Sequence, residues 1–183
     1  MAAKTEMPPG TRIGHVHLKV ADIQRSLDFY CGILGFKLMA RMGEQAAFIA
    51  AGDYHHHIGL NTWESAGGTP PPPGHTGLYH HAILFPTRKA LAEAFKRLID
   101  AGYPLSGASD HGVSEALYLD DPDGNGVELY RDRPVSEWPR DAKGNLVMYS
   151  HHLDLEDLLR EADASEDEVE AVEYVPAEPA DLA

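Results

Sequence analysis

The sequence predicts an α+β protein built from two βαβββ units and a C-terminal extension. Three observations predict it. Residues 13–62 and 78–131 both run strand, helix, strand, strand, strand, and a repeat of roughly fifty residues is an architectural signal. Within each unit the apolar period switches from two to about 3.6 and back to two. Between the units lies ESAGGTPPPPGHTG, whose four consecutive prolines make a stiff extended linker. Neither unit buries its sheet face alone, so the two are expected to pair. The expected boundaries are 12–63 for the first module, 64–77 for the linker and 78–132 for the second module. Residues 133–160 form the extension, and residues 161–183 form an acidic tail expected to be disordered.

Each element follows from its residues. Residues 1–11 read as a flexible arm. In IGHVHLKV, residues 13–20, Val16, Leu18 and Val20 share one face and His15, His17 and Lys19 the other. Asp22 is an N-cap, and Ile23, Leu27, Tyr30 and Leu34 recur at helical spacing until Gly35 ends the helix. Residues 36–42, 45–51 and 55–62 read as three further strands. The second unit opens with the strand LYHHAILF, residues 78–85. Thr87 caps a helix carrying Leu91, Phe95 and Leu98, and Gly102 ends it. Strands are expected at 103–106, 115–119 and 125–131, and a short helix at 153–160.

Composition excludes several classes. The net charge of −14 argues against nucleic acid as a partner, because phosphates would be repelled. Much of that charge is local: residues 161–183 hold nine acids and no base, leaving −5 on the rest. No apolar run is long enough to span a bilayer, and MAAKTEMPPGTR has no secretory h-region. Cys31 is the single cysteine, which excludes a disulfide scaffold and fits a reducing cytoplasm. It reads as a small packing residue on the first helix.

The chemistry concentrates in HGVSEALYLDDPDGNGVELY, residues 111–130. His111 sits in the turn setting Ser109-Asp110-His111-Gly112, and Tyr118 lies on a short apolar strand. The dense turn signal DDPDGNG then leads into Val127-Glu128-Leu129-Tyr130. Here Val127 and Leu129 face one way, and Glu128 and Tyr130 the other. A carboxylate on an inner sheet face needs a cation, a metal or hydrogen-bond donors. Taken alone, the run fits an edge strand with Glu128 in water equally well.

The repeat changes that balance. His15 opens the first strand of unit one and His80 that of unit two, while Gly59 is the counterpart of Glu128. Any one of these histidines alone is better read as satisfying a local hydrogen bond. Two at equivalent positions, with a carboxylate beside them, favour a metal site. If the strands are adjacent, His15, His80 and Glu128 converge on a curved mixed sheet around a metal cavity. Two imidazoles and one carboxylate on one face of a metal is the arrangement of non-haem Fe(II) oxygenases.

These residues resemble the vicinal oxygen chelate superfamily of glyoxalases, bleomycin-resistance proteins and extradiol dioxygenases. The resemblance covers about residues 12–132 and includes GHVHLKVADIQRSLDFYCGILGF in unit one. His111, Leu117, Tyr118, Asp121, Pro122, Gly124 and Glu128 satisfy the extradiol dioxygenase signature, and Ser109 departs from it. YHHHIGLNTW and YRDRPVSEWPRDAKGNL are similar to segments of catechol 2,3-dioxygenase-like proteins, which often have four modules where this chain has two.

The resemblance implies that His15, His80 and Glu128 bind Fe(II), or Mn(II), with His111 and Tyr118 beside them. It implies a small aromatic diol and O2 as substrates, with ring opening next to the two hydroxyls. It also implies a homo-oligomer, a dimer or larger, and leaves open whether the units pair within one chain or between chains. A neutral histidine suits the proton transfers near pH 7. His57 is the sequence candidate for them, although a structural role beside His55 and His56 accounts for it as well. Tyr118 is expected to donate a hydrogen bond to a ligand oxygen, the alternative being a core tyrosine. His17 is expected to line the cavity. Two other readings stay open. One is a glyoxalase-type lyase or isomerase, disfavoured because such enzymes usually carry a fourth ligand where this chain has Gly59. The other is a bleomycin-resistance-type binding protein, disfavoured because that branch typically lacks the ligands.

Overall fold

The computed structural model describes residues 6–8 and 10–163. Two four-stranded mixed sheets carry the α+β fold. The first orders its strands β1-β4-β3-β2, with β1 Val16–Lys19, β2 Lys37–Met42, β3 Ala46–Ala50 and β4 Ile58–Asn61. The second repeats that order as β5-β8-β7-β6, with β5 His81–Leu84, β6 Gly107–Asp110, β7 Ser114–Asp120 and β8 Gly126–Asp132. In each sheet the first strand runs parallel to the last and the rest are antiparallel.

Apart from β2, which is exposed along its whole length, the strands bury or half-bury residues against the helices, and one cluster of buried residues draws on both units. Leu18, Leu60, Leu117 and Leu129 supply the sheet side of that cluster, while Tyr30, Leu91 and Leu98 supply the helix side. The second helix, α2 Arg88–Asp100, is capped by Thr87, whose hydroxyl accepts from the Ala90 N–H at 3.0 Å. The first helix departs from the expected regular one. It is α-helical only over α1, Ile23–Leu27, capped by Asp22, and then widens into a π-helix at Asp28–Ile33. The Leu34 N–H reaches back five residues to Phe29 O. That widening accommodates Phe29 and Tyr30, both almost fully buried. Cys31 is half-buried there, and burial pushes its thiol pKa up, as befits a packing residue.

Two further expectations shift. The strand expected at 103–106 forms instead at Gly107–Asp110. Pro104 has no N–H to give a ladder, and Gly107, Ala108 and Ser109 lack the bulky side chains that signal a strand. The acidic tail does not begin at Glu161: Glu161–Asp163 form a 3₁₀ turn after α3, Leu155–Arg160. Residues 164–183 of the expected tail lie outside the described residues, as do residues 1–5 and 9 of the expected arm.

The units are joined through the turn between β7 and β8. Asp121 is buried and accepts from the N–H groups of Asp123 and Asn125, the Asn125 side chain and the Tyr30 hydroxyl, the last at 3.0 Å. Asp123 accepts from the Ala21 N–H and pairs with Arg25. From the other side, Arg97 of α2 donates to the carbonyls of Ile33 and Leu34, each at 3.1 Å. Asp121→Ala therefore leaves a buried phenol and two N–H groups without partners. We expect it to lower unfolding free energy by about 2–4 kcal/mol, read from the urea midpoint.

Candidate metal centre

The outer face of the second sheet carries the chemistry. Glu128 of β8 pairs across the ladder with Tyr118 of β7. Val127 and Leu129 on either side are buried, so the alternation fixes Glu128 on the opposite face. His80 immediately precedes β5, the other neighbour of β8. Its approach depends on Gly126, where a Cβ would lie 2.0 Å from the Tyr79 carbonyl oxygen and 3.1 Å from His80 Cα. With no side chain there, the His80 ring reaches the carboxylate, and Nε2 lies 2.9 Å from Glu128 Oε2.

The other carboxylate oxygen, Oε1, accepts from the Tyr118 hydroxyl at 3.1 Å. That hydroxyl also lies 2.7 Å from His111 Nε2, and His111 Nδ1 donates to the Tyr149 carbonyl at 2.8 Å. Burial, reinforced by the Glu128 charge, pushes the Tyr118 pKa up to about 12. Tyr118 therefore holds its proton at neutral pH and serves as a donor. His80, Glu128, Tyr118 and His111 form one connected polar chain.

His15 stands apart from that chain. It lies just before β1, exposed, with its ring 4.5 Å from that of His56. His57 accepts from the Ala51 N–H at Nδ1 and packs beside Tyr54, so its partners are local. His17 is on the outer face of β1, against Phe48 and Trp63. Among the described residues, no three acidic, histidine or cysteine side chains are grouped so as to hold a metal. His80 and Glu128 nevertheless fit as two ligands: an imidazole nitrogen and a carboxylate oxygen aim at each other, and His80 Nδ1 is buried without a hydrogen-bond partner. A divalent cation between such a pair would be held by borderline and hard donors together.

The strand register fixes the equivalence of the two units. Val16 pairs with Ile58 as His81 pairs with Val127, so Gly59 stands where Glu128 stands, and His15 where His80 stands. The space over Gly59 is taken by the His17 ring: a Cβ at Gly59 would lie 3.0 Å from His17 Cγ and Nδ1.

Sequence reasoning missed two groups near the site. His81, beside His80 but facing the core, is buried near the Tyr30 ring, and burial lowers its pKa. Glu115 of β7 is 3 % exposed and is met by Arg88, Arg131 and Arg133. Its sequence signal, an acid inside an apolar strand, was the same as that of Glu128.

Paired βαβββ units, each a four-stranded mixed sheet with the same strand order, define the class of protein to which this fold belongs. The chain belongs to the glyoxalase/bleomycin resistance protein/dioxygenase superfamily, whose family model matches residues 12–129. It is 45% identical over 159 residues to a catechol-2,3-dioxygenase of Bacillus subtilis, covering 86% of this chain and 54% of that protein. It is 32% identical over 121 residues to a biphenyl-2,3-diol 1,2-dioxygenase of Rhodococcus globerulus, covering 66% of this chain and 63% of that one. The chain thus spans little more than half the length of the first relative and under two thirds of the second. Its fold matches the crystal structure of a glyoxalase/dioxygenase from Nostoc punctiforme, with a TM-score of 0.58 at 21% identity over 72% of this chain and 99% of that one. No described helix is long and apolar enough to cross a membrane.

Proposed function

We propose that the protein is an extradiol-type ring-cleaving dioxygenase, using Fe(II), or Mn(II), on a catechol-like aromatic diol with O2. The observation that carries the reading is the chain His80–Glu128–Tyr118–His111, which joins a ligand pair to a proton-handling pair without a break. The names of the two dioxygenase relatives support the same reaction class. His80 and Glu128 would hold the metal, with His15 of the equivalent strand as the third ligand. A bound metal would supply a positive charge that favours the ionised diol and a place for O2 beside it.

The chain's own residues do the rest. Tyr118, kept protonated, has one proton to give, and with a diol bound it would turn that proton from Glu128 Oε1 to the anionic ligand oxygen. His111 presents Nε2 to the Tyr118 hydroxyl, so a proton leaving the diol reaches His111 through Tyr118 and returns the same way. His57 has a local partner at Nδ1, and we assign the proton traffic to His111 in preference. His15 would complete the site when the outward faces of the two sheets close on each other, within one chain or between two copies of a homo-oligomer.

A glyoxalase-type reaction is the second reading. The carboxylate such enzymes usually carry is absent at Gly59, and the His17 ring, which a Cβ there would meet at 3.0 Å, lies over that place. The test is oxygen uptake by protein purified anaerobically and loaded with Fe(II), over a panel of substituted catechols. We expect O2 consumption with a yellow ring-opened product, slowed roughly ten- to a thousandfold by Tyr118→Phe at unchanged metal content. No uptake with any catechol, together with turnover of a thiol hemiacetal without O2, would replace this reading with the Lewis-acid one.

A further inference from the structure

We propose that the C-terminal segment around Tyr149 is a positioning element that makes Nε2 the proton-accepting atom of His111. A carbonyl oxygen only accepts hydrogen bonds, so its contact with Nδ1 at 2.8 Å places a proton on Nδ1. In the neutral ring Nε2 is then bare and is the nearer acceptor of the one Tyr118 hydroxyl proton, at 2.7 Å, with Glu128 Oε1 the alternative acceptor at 3.1 Å. A proton taken by the ring goes to Nε2, which then donates to Tyr118 and releases the Tyr118 proton toward Glu128 Oε1 at 3.1 Å. Without the Tyr149 carbonyl the ring is free to carry its proton on Nε2. It would then face Tyr118 as a donor only and could take no proton from it.

The segment is held as a positioning part should be. His151 and Asp110 exchange backbone hydrogen bonds of 2.9 and 3.0 Å, so residues 149–151 extend the sheet at the free edge of β6. The Ser109 and Ser150 hydroxyls lie 3.0 Å apart along the same edge. Gly112, next to His111, has φ +77°, and a Cβ there would come within 2.6 Å of the Tyr149 ring and 2.7 Å of Pro139. The segment therefore sits directly against the backbone that carries His111. Behind it, Arg88 joins Glu115 to Asp157 of α3 and to Glu161, and Arg133 joins Glu115 to Asp110. The segment itself, Tyr149 to His151, and α3 behind it lie beyond residue 129, where the family match ends.

The catalytic consequence rests on the dioxygenase reading, whereas the ring's proton position does not. The test has two arms on the full chain. Nitrogen NMR of protein labelled at the histidine rings should show His111 with a protonated Nδ1 and a bare Nε2. Replacing Ser150 by its α-hydroxy analogue turns the Tyr149 amide into an ester, which weakens that carbonyl as an acceptor and alters no side chain near His111. The ester protein should shift His111 toward the Nε2-protonated tautomer. It should also lose about tenfold in kcat with KM little changed, and move the acid limb of its pH–rate profile. Gly112→Ala, which forces Tyr149 away, should do the same more strongly. A wild-type His111 protonated at Nε2, or an ester protein with unchanged tautomer and kcat, overturns the proposal. A tautomer shift in a protein that processes no catechol would sink the dioxygenase reading and leave the positioning role standing.

Discussion

His80→Ala and Glu128→Ala each bind Fe(II) roughly a hundredfold or more weakly than the unaltered chain, with the circular dichroism of the fold retained. That is the result we expect from equilibrium dialysis of anaerobically purified protein. The two side chains meet on the outward face of the second sheet, away from the core, so neither truncation opens a cavity among the buried residues. Each removes one of two donor atoms that face each other across 2.9 Å. Tyr118→Phe loses the contact with Glu128 Oε1 but keeps the ring beside His80, and His111 reaches the pair only through Tyr118, so both variants should keep the metal. Equal metal loss in all four variants would end the division between metal-holding and proton-handling residues. His15→Ala is the informative partner. It should also lose the metal, and mixing it with Glu128→Ala should restore part of the activity only if His15 reaches the site from a second copy. Mixed protein that stays inactive while His15→Ala alone fails places closure within one chain.

The parts of this arrangement that are local in sequence were legible, and the parts that depend on packing were not. The alternation Val127-Glu128-Leu129-Tyr130 separated Glu128 from the apolar residues on either side of it, but Glu128 was expected on an inner face; the register places it opposite Tyr118 on the face turned away from the buried cluster. The equivalence of His15 with His80 and of Gly59 with Glu128 followed from the repeat, and the register agrees. Convergence of His15 with the other two did not follow, because it depends on how one sheet sits against the other, and no periodicity encodes that. β6 was misplaced because its small residues carry little strand signal. The π-helix was missed because Ile23, Leu27, Tyr30 and Leu34 keep an apolar stripe in either helix type. The Tyr149 carbonyl could not be read at all, since a backbone acceptor has no residue signature. His57 drew attention because it shares a strand face with Gly59 and Asn61, yet the Ala51 N–H gives its ring a partner nearby.

Glu115 carries the largest stability effect we expect. Its carboxylate is almost fully buried and receives the Nε groups of Arg88 and Arg131 at 2.9 and 3.0 Å and Arg133 Nη2 at 2.9 Å. Replacing such a cluster with apolar residues can be neutral, whereas deleting one partner leaves charge stranded in a poorly solvated place. Glu115→Ala takes a shared carboxylate from three guanidinium groups and leaves Arg131 beside the cavity without its acidic partner, so it should cost about 3–5 kcal/mol, measured from the urea midpoint. Glu115→Gln keeps the shape and one acceptor, and should cost less. Asp110, Asp157 and Glu161 still share Arg133 and Arg88, which bounds the loss. The cluster also reaches α3 and the strand end that pairs with His151, so the loss should not stop at stability. In Glu115→Gln the segment bearing Tyr149 should loosen before the core does, seen as faster amide exchange at His151 than at Leu117 or Leu129. Uniform exchange across all three would mean that the cluster stabilises the whole fold and has no special hold on the segment beside His111.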